Sequence, residues 1–161
     1  MAEDVRFAII GLGMGRNRAR TATETPGAKL VCVCDLQEEK AKGYGEEFSC
    51  DWTTSMDEVL AREDVDCVGI MTPSGYHADH VCAALHAGKH VFTTKPMEIS
   101  VKGCDAEIAA AEETGKILGV DFIYRYRRAN QQVKAAIDGG ALGQVRLGDV
   151  RLKWLRTQEY F

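Results

Sequence analysis

No apolar run in this sequence approaches the ~20 residues that a bilayer span requires. The opening MAEDVRF also lacks the charged-then-apolar order of an export signal. A soluble, cytoplasmic protein with no membrane partner is therefore expected. None of the six cysteines (Cys32, Cys34, Cys50, Cys67, Cys82, Cys104) forms a C-x-x-C pair, and no His–Cys cluster has zinc-ligand spacing. No metal site is expected, and the thiols read as reduced, small hydrophobes. A chain of 161 residues, 45% of them hydrophobic, can build a core without disulfide staples. A basic excess is missing too. With 20 basic against 24 acidic residues the formal charge is −4, and a nucleic-acid partner, which needs a basic face, is not expected. There is no internal repeat, low-complexity tract or charge block.

What the chain has instead is alternation of short apolar runs with longer helical stretches. Val5–Ile10 reads as a first strand, followed at once by Gly11-Leu12-Gly13-Met14-Gly15 and a helix from about Arg16 to Glu24, stopped by Pro26-Gly27. Ala28–Cys34 is a second strand, with Cys32 and Cys34 on one face and Asp35 closing it. Glu38–Phe48 reads as a helix weakened by Gly43 and Gly45. Trp52-Thr53-Thr54 reads as a short edge strand, and Ser55 as the cap of a helix over Met56–Ala61, with Glu58 at the capping-box position. Cys67–Met71 is a strand broken by Thr72-Pro73-Ser74-Gly75. A helix over Tyr76–Ala87, a strand over His90–Thr94, a Ser100-capped helix to about Thr114 and a strand over Ile117–Val120 complete the series. The fold class this implies is α/β: a Rossmann-type doubly wound parallel sheet, spanning 1–121. Runs such as Phe7-Ala8-Ile9-Ile10 suit strands buried on both faces.

Residues 122–161 break the pattern. Asp121 to Arg128 is aromatic and basic, and Ala129–Ile137 reads as a linker helix ended by Asp138-Gly139-Gly140. Gln144–Leu155 alternates, with Val145, Leu147, Val150, Leu152 and Trp154 apolar and one slip in phase near Gly148. It is expected as a long strand, the first of an incomplete C-terminal domain, ordered by pairing with a second molecule; the alternative is a disordered tail.

The glycine turn lies between a strand and a helix, the context that a dinucleotide-binding turn requires. Gly11 lets the chain turn tightly, and Gly13 lets a pyrophosphate approach the backbone N–H groups at the helix start. The spacing departs from G-x-G-x-x-G, since Arg16 stands where the third glycine belongs and Gly15 comes one residue early. The competing reading is a purely structural glycine-rich turn. Asp35 lies 24 residues after Gly11, at the end of the second strand. A carboxylate there can accept hydrogen bonds from the adenosine ribose and repel a 2′-phosphate, and no Arg follows in Leu36-Gln37. NAD is therefore expected over NADP. The competing reading is a helix-capping aspartate.

Two further segments carry a resemblance. Thr72-Pro73-Ser74-Gly75-Tyr76-His77-Ala78, then Ala87-Gly88-Lys89-His90-Val91 running to Thr94-Lys95-Pro96, resemble the glucose–fructose oxidoreductase / inositol dehydrogenase / rhizopine-catabolism family. Its members show T-P-x-x-x-H-A, A-G-K-H-V and E-K-P. The Gly11 turn, Asp35 and Phe122-x-x-Arg125-Tyr126 match in order, so the resemblance covers essentially the whole chain. It implies a two-domain, NAD-dependent dehydrogenase acting on a sugar, polyol or related hydroxyl compound, with a second α/β domain that commonly also supplies a homo-oligomer interface. The expected cofactor contacts are Gly11, Leu12, Gly13, Met14, Gly15, Arg16, Asp35, Leu36, Thr72, Pro73, Ser74, His77, Thr94, Lys95 and Pro96. Lys95 inherits the role of the E-K-P lysine beside the nicotinamide, where an ammonium can stabilise negative charge on the substrate oxygen. The competing reading is a solvated strand-end lysine. Pro96 fixes the backbone after it, with a cis bond as one route. Thr94 replaces the family's Glu and cannot share charge with Lys95. His77 reads either as a residue near the cofactor or as a structural histidine, the second preferred. The family's Asp and His acid/base pair lies in the second domain, and nothing up to Phe161 matches it. The chain alone is therefore expected to bind cofactor without turnover; the alternative is a non-catalytic NAD-binding module for sensing or assembly. A methyltransferase-like nucleoside site is disfavoured, because Thr94-Lys95-Pro96 has no role there.

Overall fold

A computed structural model of the chain describes residues 3–160. Val5–Ile10 (β1), Ala28–Cys34 (β2), Asp51–Thr53 (β3), Cys67–Ile70 (β4), His90–Thr94 (β5) and Leu118–Asp121 (β6) form one sheet in the order β3-β2-β1-β4-β5-β6. Every neighbouring pair is parallel, so all the carboxyl ends share one edge. The order reverses between β1 and β4, which opens a crevice at that edge in folds of this kind. Helices Gly15–Glu24 (α1), Glu38–Phe48 (α2), Met56–Leu60 (α3), His77–His86 (α4) and Val101–Thr114 (α5) return the chain between strands.

The core lies in two layers because successive strand residues point to opposite faces. Ala8, Ile10, Cys32, Cys34, Val68 and Ile70 pack with Val59 of α3, Val81, Ala84 and Leu85 of α4, and Ala110 of α5. Ile9, Leu30, Val33 and Met71 pack on the other face with Ala19 and Ala22 of α1, joined by Tyr44 and Phe48 of α2. Cys32 and Cys34 share a face as expected. Val31 falls on that same face, because the β1–β2 register slips between Phe7 and Ala8 and leaves Val31 unpaired with β1. All six cysteines are free thiols, and burial pushes Cys34 and Cys67 up to about 12.

The boundaries follow local chemistry. Gly115 ends α5 in the left-handed conformation, and Ser100 caps its start by accepting the Gly103 N–H at 3.0 Å. Ser55 caps α3 likewise, accepting from the Glu58 N–H at 3.4 Å. The reciprocal half of that capping box does not form. The Glu58 carboxylate is taken by the Thr53 hydroxyl, and the Ser55 N–H donates to Thr53 Oγ1 at 3.1 Å. A 3-10 turn, Ser74–Tyr76, precedes α4.

By its contacts the chain divides between Phe122 and Ile123. The second unit holds a 3-10 turn at Ile123–Tyr126 and the helix Arg128–Asp138 (α6), whose residues include none that is buried. Within it Arg127 lies over the Tyr124 ring, 4.3 Å from the centroid, and Asn130 Nδ2 donates to the Tyr124 carbonyl at 2.7 Å. The strand expected over 144–155 does not form. That stretch is irregular and exposed throughout, with Leu147 86% and Trp154 62% accessible. Alternation of side chains alone does not make a strand. Its N–H and C=O groups must bond to a neighbouring strand, and among the described residues none runs beside them.

Candidate functional site

Parallel strands place four expected segments at one edge of the sheet. Gly11 to Arg16 follows β1, Asp35 and Leu36 follow β2, Thr72 to Ser74 follows β4, and Thr94 to Pro96 ends β5. Residues up to 85 positions apart in sequence thus converge, because each lies where a strand stops.

Gly11 has φ +89°. A side chain there would strain the backbone, and its Cβ would lie 2.7 Å from the Met71 carbonyl oxygen. The turn is therefore pressed against the end of β4. Above Gly13 the space is open, with nothing within 4 Å of a built Cβ. Gly15 packs closely on Ile9 and Met71, which brings the start of α1 down onto the sheet. That start has no side-chain cap and no acidic residue in its first turn. A helix start of this kind carries a positive dipole end, and with the open space above Gly13 it makes a setting that suits a pyrophosphate.

Asp35 does two things. Its Oδ2 accepts the Leu12 N–H at 2.8 Å and pairs with Lys40 Nζ at 3.2 Å, and its Oδ1 accepts the Gln37 N–H at 3.1 Å. Burial works to raise the carboxyl, but the Leu12 and Gln37 N–H groups and Lys40 outweigh it and hold Asp35 below the ordinary carboxylate value. The carboxylate thus braces the glycine turn from the next strand, and Oδ1 keeps a lone-pair direction for a further donor. It is not the N-cap of α2; that position is Gln37.

The other expected residues sort by exposure. Met14, Leu36, Pro73, Lys95 and Pro96 are exposed, with Leu36 at 92%, and Thr72 and Ser74 are half-buried. Leu12 and Thr94 point into the core, so neither side chain is presented at the edge. Arg16 turns away toward α2, pairing with Glu47 at 3.2 Å and lying 5.5 Å from the Tyr44 ring centroid. The Lys95–Pro96 peptide is cis.

His77 is wholly enclosed, so it lies behind the edge and not on it. The structural one of its two readings matches the geometry. Its Nε2 lies 2.8 Å from the Thr72 carbonyl oxygen, and its Nδ1 lies 3.0 Å from Pro96 O and 3.1 Å from Met97 O.

Three features escape sequence reasoning. Arg18 of α1 pairs with Asp121 at the end of β6, both mostly shielded. Lys89 of the Ala-Gly-Lys motif is buried, and its Nζ donates to the carbonyls of Arg62 and, at 3.0 Å, Val65. Glu107 is fully enclosed between α5 and α4, and among the described residues neither carboxyl oxygen has a hydrogen-bond partner. Of these only Glu107 leaves a trace in the sequence. It shares the buried stripe of α5 with Ala110, while its neighbour Ile108 is turned outward.

Comparison with known proteins fits this geometry. Residues 5–122 match the oxidoreductase family with an NAD-binding Rossmann fold. The chain is 36% identical over 147 residues to scyllo-inositol 2-dehydrogenase (NAD(+)) of Bacillus subtilis, covering 89% of this chain and 43% of that protein. The structure of myo-inositol 2-dehydrogenase from Lactobacillus plantarum superposes with a TM-score of 0.83 at 26% identity, over 89% of this chain and 43% of that one. A 3-ketoreductase from Actinomadura kijaniata, in complex with TDP-benzene and NADP, superposes with a TM-score of 0.80 at 26% identity, over 86% of this chain and 44% of that one. The chain thus spans less than half the length of each of these relatives.

Proposed function

This chain belongs to the oxidoreductase family with an NAD-binding Rossmann fold, and on that premise we propose that it forms the cofactor-binding part of an NAD-dependent dehydrogenase for an inositol, a sugar or a related polyol. The observation that carries the reading is the convergence of the Gly11 turn, Asp35, Thr72 and Lys95 at one carboxyl edge of the sheet. The open space above Gly13 and the uncapped start of α1 fit a pyrophosphate. Exposed Leu36 offers an apolar surface for the adenine, next to Asp35 for the ribose.

A bound nicotinamide supplies the hydride acceptor. The chain's own contribution is to hold and polarise. The α1 N–H groups bind the pyrophosphate. Asp35 accepts from the ribose hydroxyls, and its charge, kept by the Leu12, Gln37 and Lys40 donors, disfavours a 2′-phosphate. Lys95 Nζ hydrogen-bonds the substrate hydroxyl oxygen and stabilises the negative charge that builds there as the hydroxyl proton passes to a base, the charge that the departing hydride then discharges.

The test is a fluorescence titration of the chain with NADH and NADPH. NADH is expected to bind about tenfold tighter, the effect of one like-charge contact whose repulsion Lys40 offsets in part. Asp35→Asn keeps an acceptor for the Leu12 N–H and loses the charge, so it should narrow the gap. Equal affinities in the parent chain, or tighter NADPH binding, would overturn the assignment of NAD.

A further inference from the structure

The segment that follows Lys95 is fastened to the start of α4 from two directions. His77, the first residue of α4, faces three carbonyl oxygens: Thr72 at the end of β4 through Nε2, and Pro96 and Met97 through Nδ1. All three can only accept. The imidazole serves them as the donor, with Nδ1 facing the 96–97 side and Nε2 facing the Thr72 side. In the other direction, the Ala78 N–H donates to Glu98 Oε2 at 2.8 Å, and Glu98 Oε1 accepts the Ile99 N–H at 2.5 Å. The Glu98 side chain lies across the first turn of α5, where Gly103 makes room: a Cβ there would collide with Glu98 Cγ. Residues 96–98 are therefore held to α4 by carbonyls accepting from His77 and by a carboxylate accepting from the next backbone N–H.

The consequence for Lys95 is geometric. On its N-terminal side, Thr94 is paired in the sheet with Asp121. On its C-terminal side the carbonyls of Pro96 and Met97 are rolled inward toward His77. Lys95 is left as the exposed residue between two anchored ends. The same ring reaches the Thr72 carbonyl, so one imidazole bridges the segments that follow β4 and β5.

We propose that His77 and Glu98 form a latch that positions Lys95 and Thr72 against the nicotinamide end of the cofactor. Both are positioning residues. His77 is enclosed behind the edge and Glu98 acts through the backbone it holds. The inference rests on the reading of Lys95 as a neighbour of the nicotinamide.

The test uses the full chain and lysine acylation, followed at each lysine by peptide mass spectrometry. NADH is one protecting ligand. ADP-ribose, which lacks the nicotinamide, is the other, and exposed Lys102 is the internal control. In the parent chain saturating NADH should slow acylation of Lys95 about tenfold, while ADP-ribose should leave it nearly unchanged. His77→Phe and Glu98→Ala should bind ADP-ribose within about twofold of the parent yet lose most of the NADH protection at Lys95, whereas Glu98→Gln, which keeps an acceptor for the Ala78 N–H but not for the Ile99 N–H, should restore part of it. Simple loosening of the fold would weaken both ligands together and would not be rescued by Gln. Protection that persists undiminished in Glu98→Ala and in a folded His77→Phe variant overturns the latch while leaving the Lys95 reading intact. Should His77→Phe fail to fold, Glu98→Ala and Glu98→Gln decide alone, since Glu98 is not part of the core. Absence of NADH protection in the parent chain sinks the Lys95 reading itself, and the latch as a device for positioning Lys95 falls with it.

Discussion

Glu107 makes the fold pH-sensitive in a direction opposite to that of most carboxylates. It is fully enclosed on α5, neither oxygen is hydrogen-bonded among the described residues, and burial, reinforced by Glu98, pushes its carboxyl from 4.5 to about 7 against the opposing pull of His77. Cys82 of α4 also lies within its electrostatic reach. Below 4.5 the group is protonated both folded and unfolded and adds no pH dependence. Between 4.5 and about 7 the unfolded chain releases this proton and the folded chain keeps it, so the folded state binds more protons and stability falls as pH rises. Above about 7 both forms are ionised and the whole loss is expressed. A tenfold change in proton affinity is worth ~1.4 kcal/mol, so the rise from 4.5 to about 7 corresponds to a loss on the order of 3 kcal/mol. Glu107→Gln has the same shape and cannot ionise. Urea unfolding followed by circular dichroism should show the two proteins nearly equal in stability below pH 4.5. The variant should be favoured by about 3 kcal/mol above the upper transition. A difference that does not grow with pH, or a variant less stable than the parent in alkali, would mean that Glu107 is not an unpartnered buried acid.

Two other substitutions follow from single contacts. Gly11→Ala places a Cβ 2.7 Å from a backbone oxygen at a φ of +89°, and should lower unfolding free energy by about 2–5 kcal/mol in urea titration; a loss below about 1 kcal/mol would refute the close approach of the turn to β4. Lys89→Met keeps the length of the buried stem and leaves the Arg62 and Val65 carbonyls unbonded, so a loss of about 1–3 kcal/mol is expected, and a variant as stable as the parent would show that water reaches those oxygens.

The strands were legible because parallel strands buried on both faces must be contiguous apolar runs, and this chain punctuates them with Gly, Pro, Ser and Asp. β1, β2, α2, β5 and α5 begin and end where those signals stand. The strand order and the convergence of strand ends follow from right-handed crossovers between parallel strands. The Gly11 turn and Asp35 could be placed because each abuts a strand end, a feature that one stretch of sequence contains.

By itself, then, the sequence determined the elements, their order and which segments stand at the carboxyl edge, since these depend on residues near one another in the chain. Tertiary structure decided the rest. Asp35 braces Leu12 from the next strand, His77 withdraws behind the edge to join Thr72 to Pro96, and Glu107 is sealed between α4 and α5. Each depends on partners brought together only when the layers pack. The stretch 144–155 is the converse: its local alternation satisfies the rule for a strand, but a strand exists only where another backbone accepts its hydrogen bonds, and no side-chain pattern can supply that.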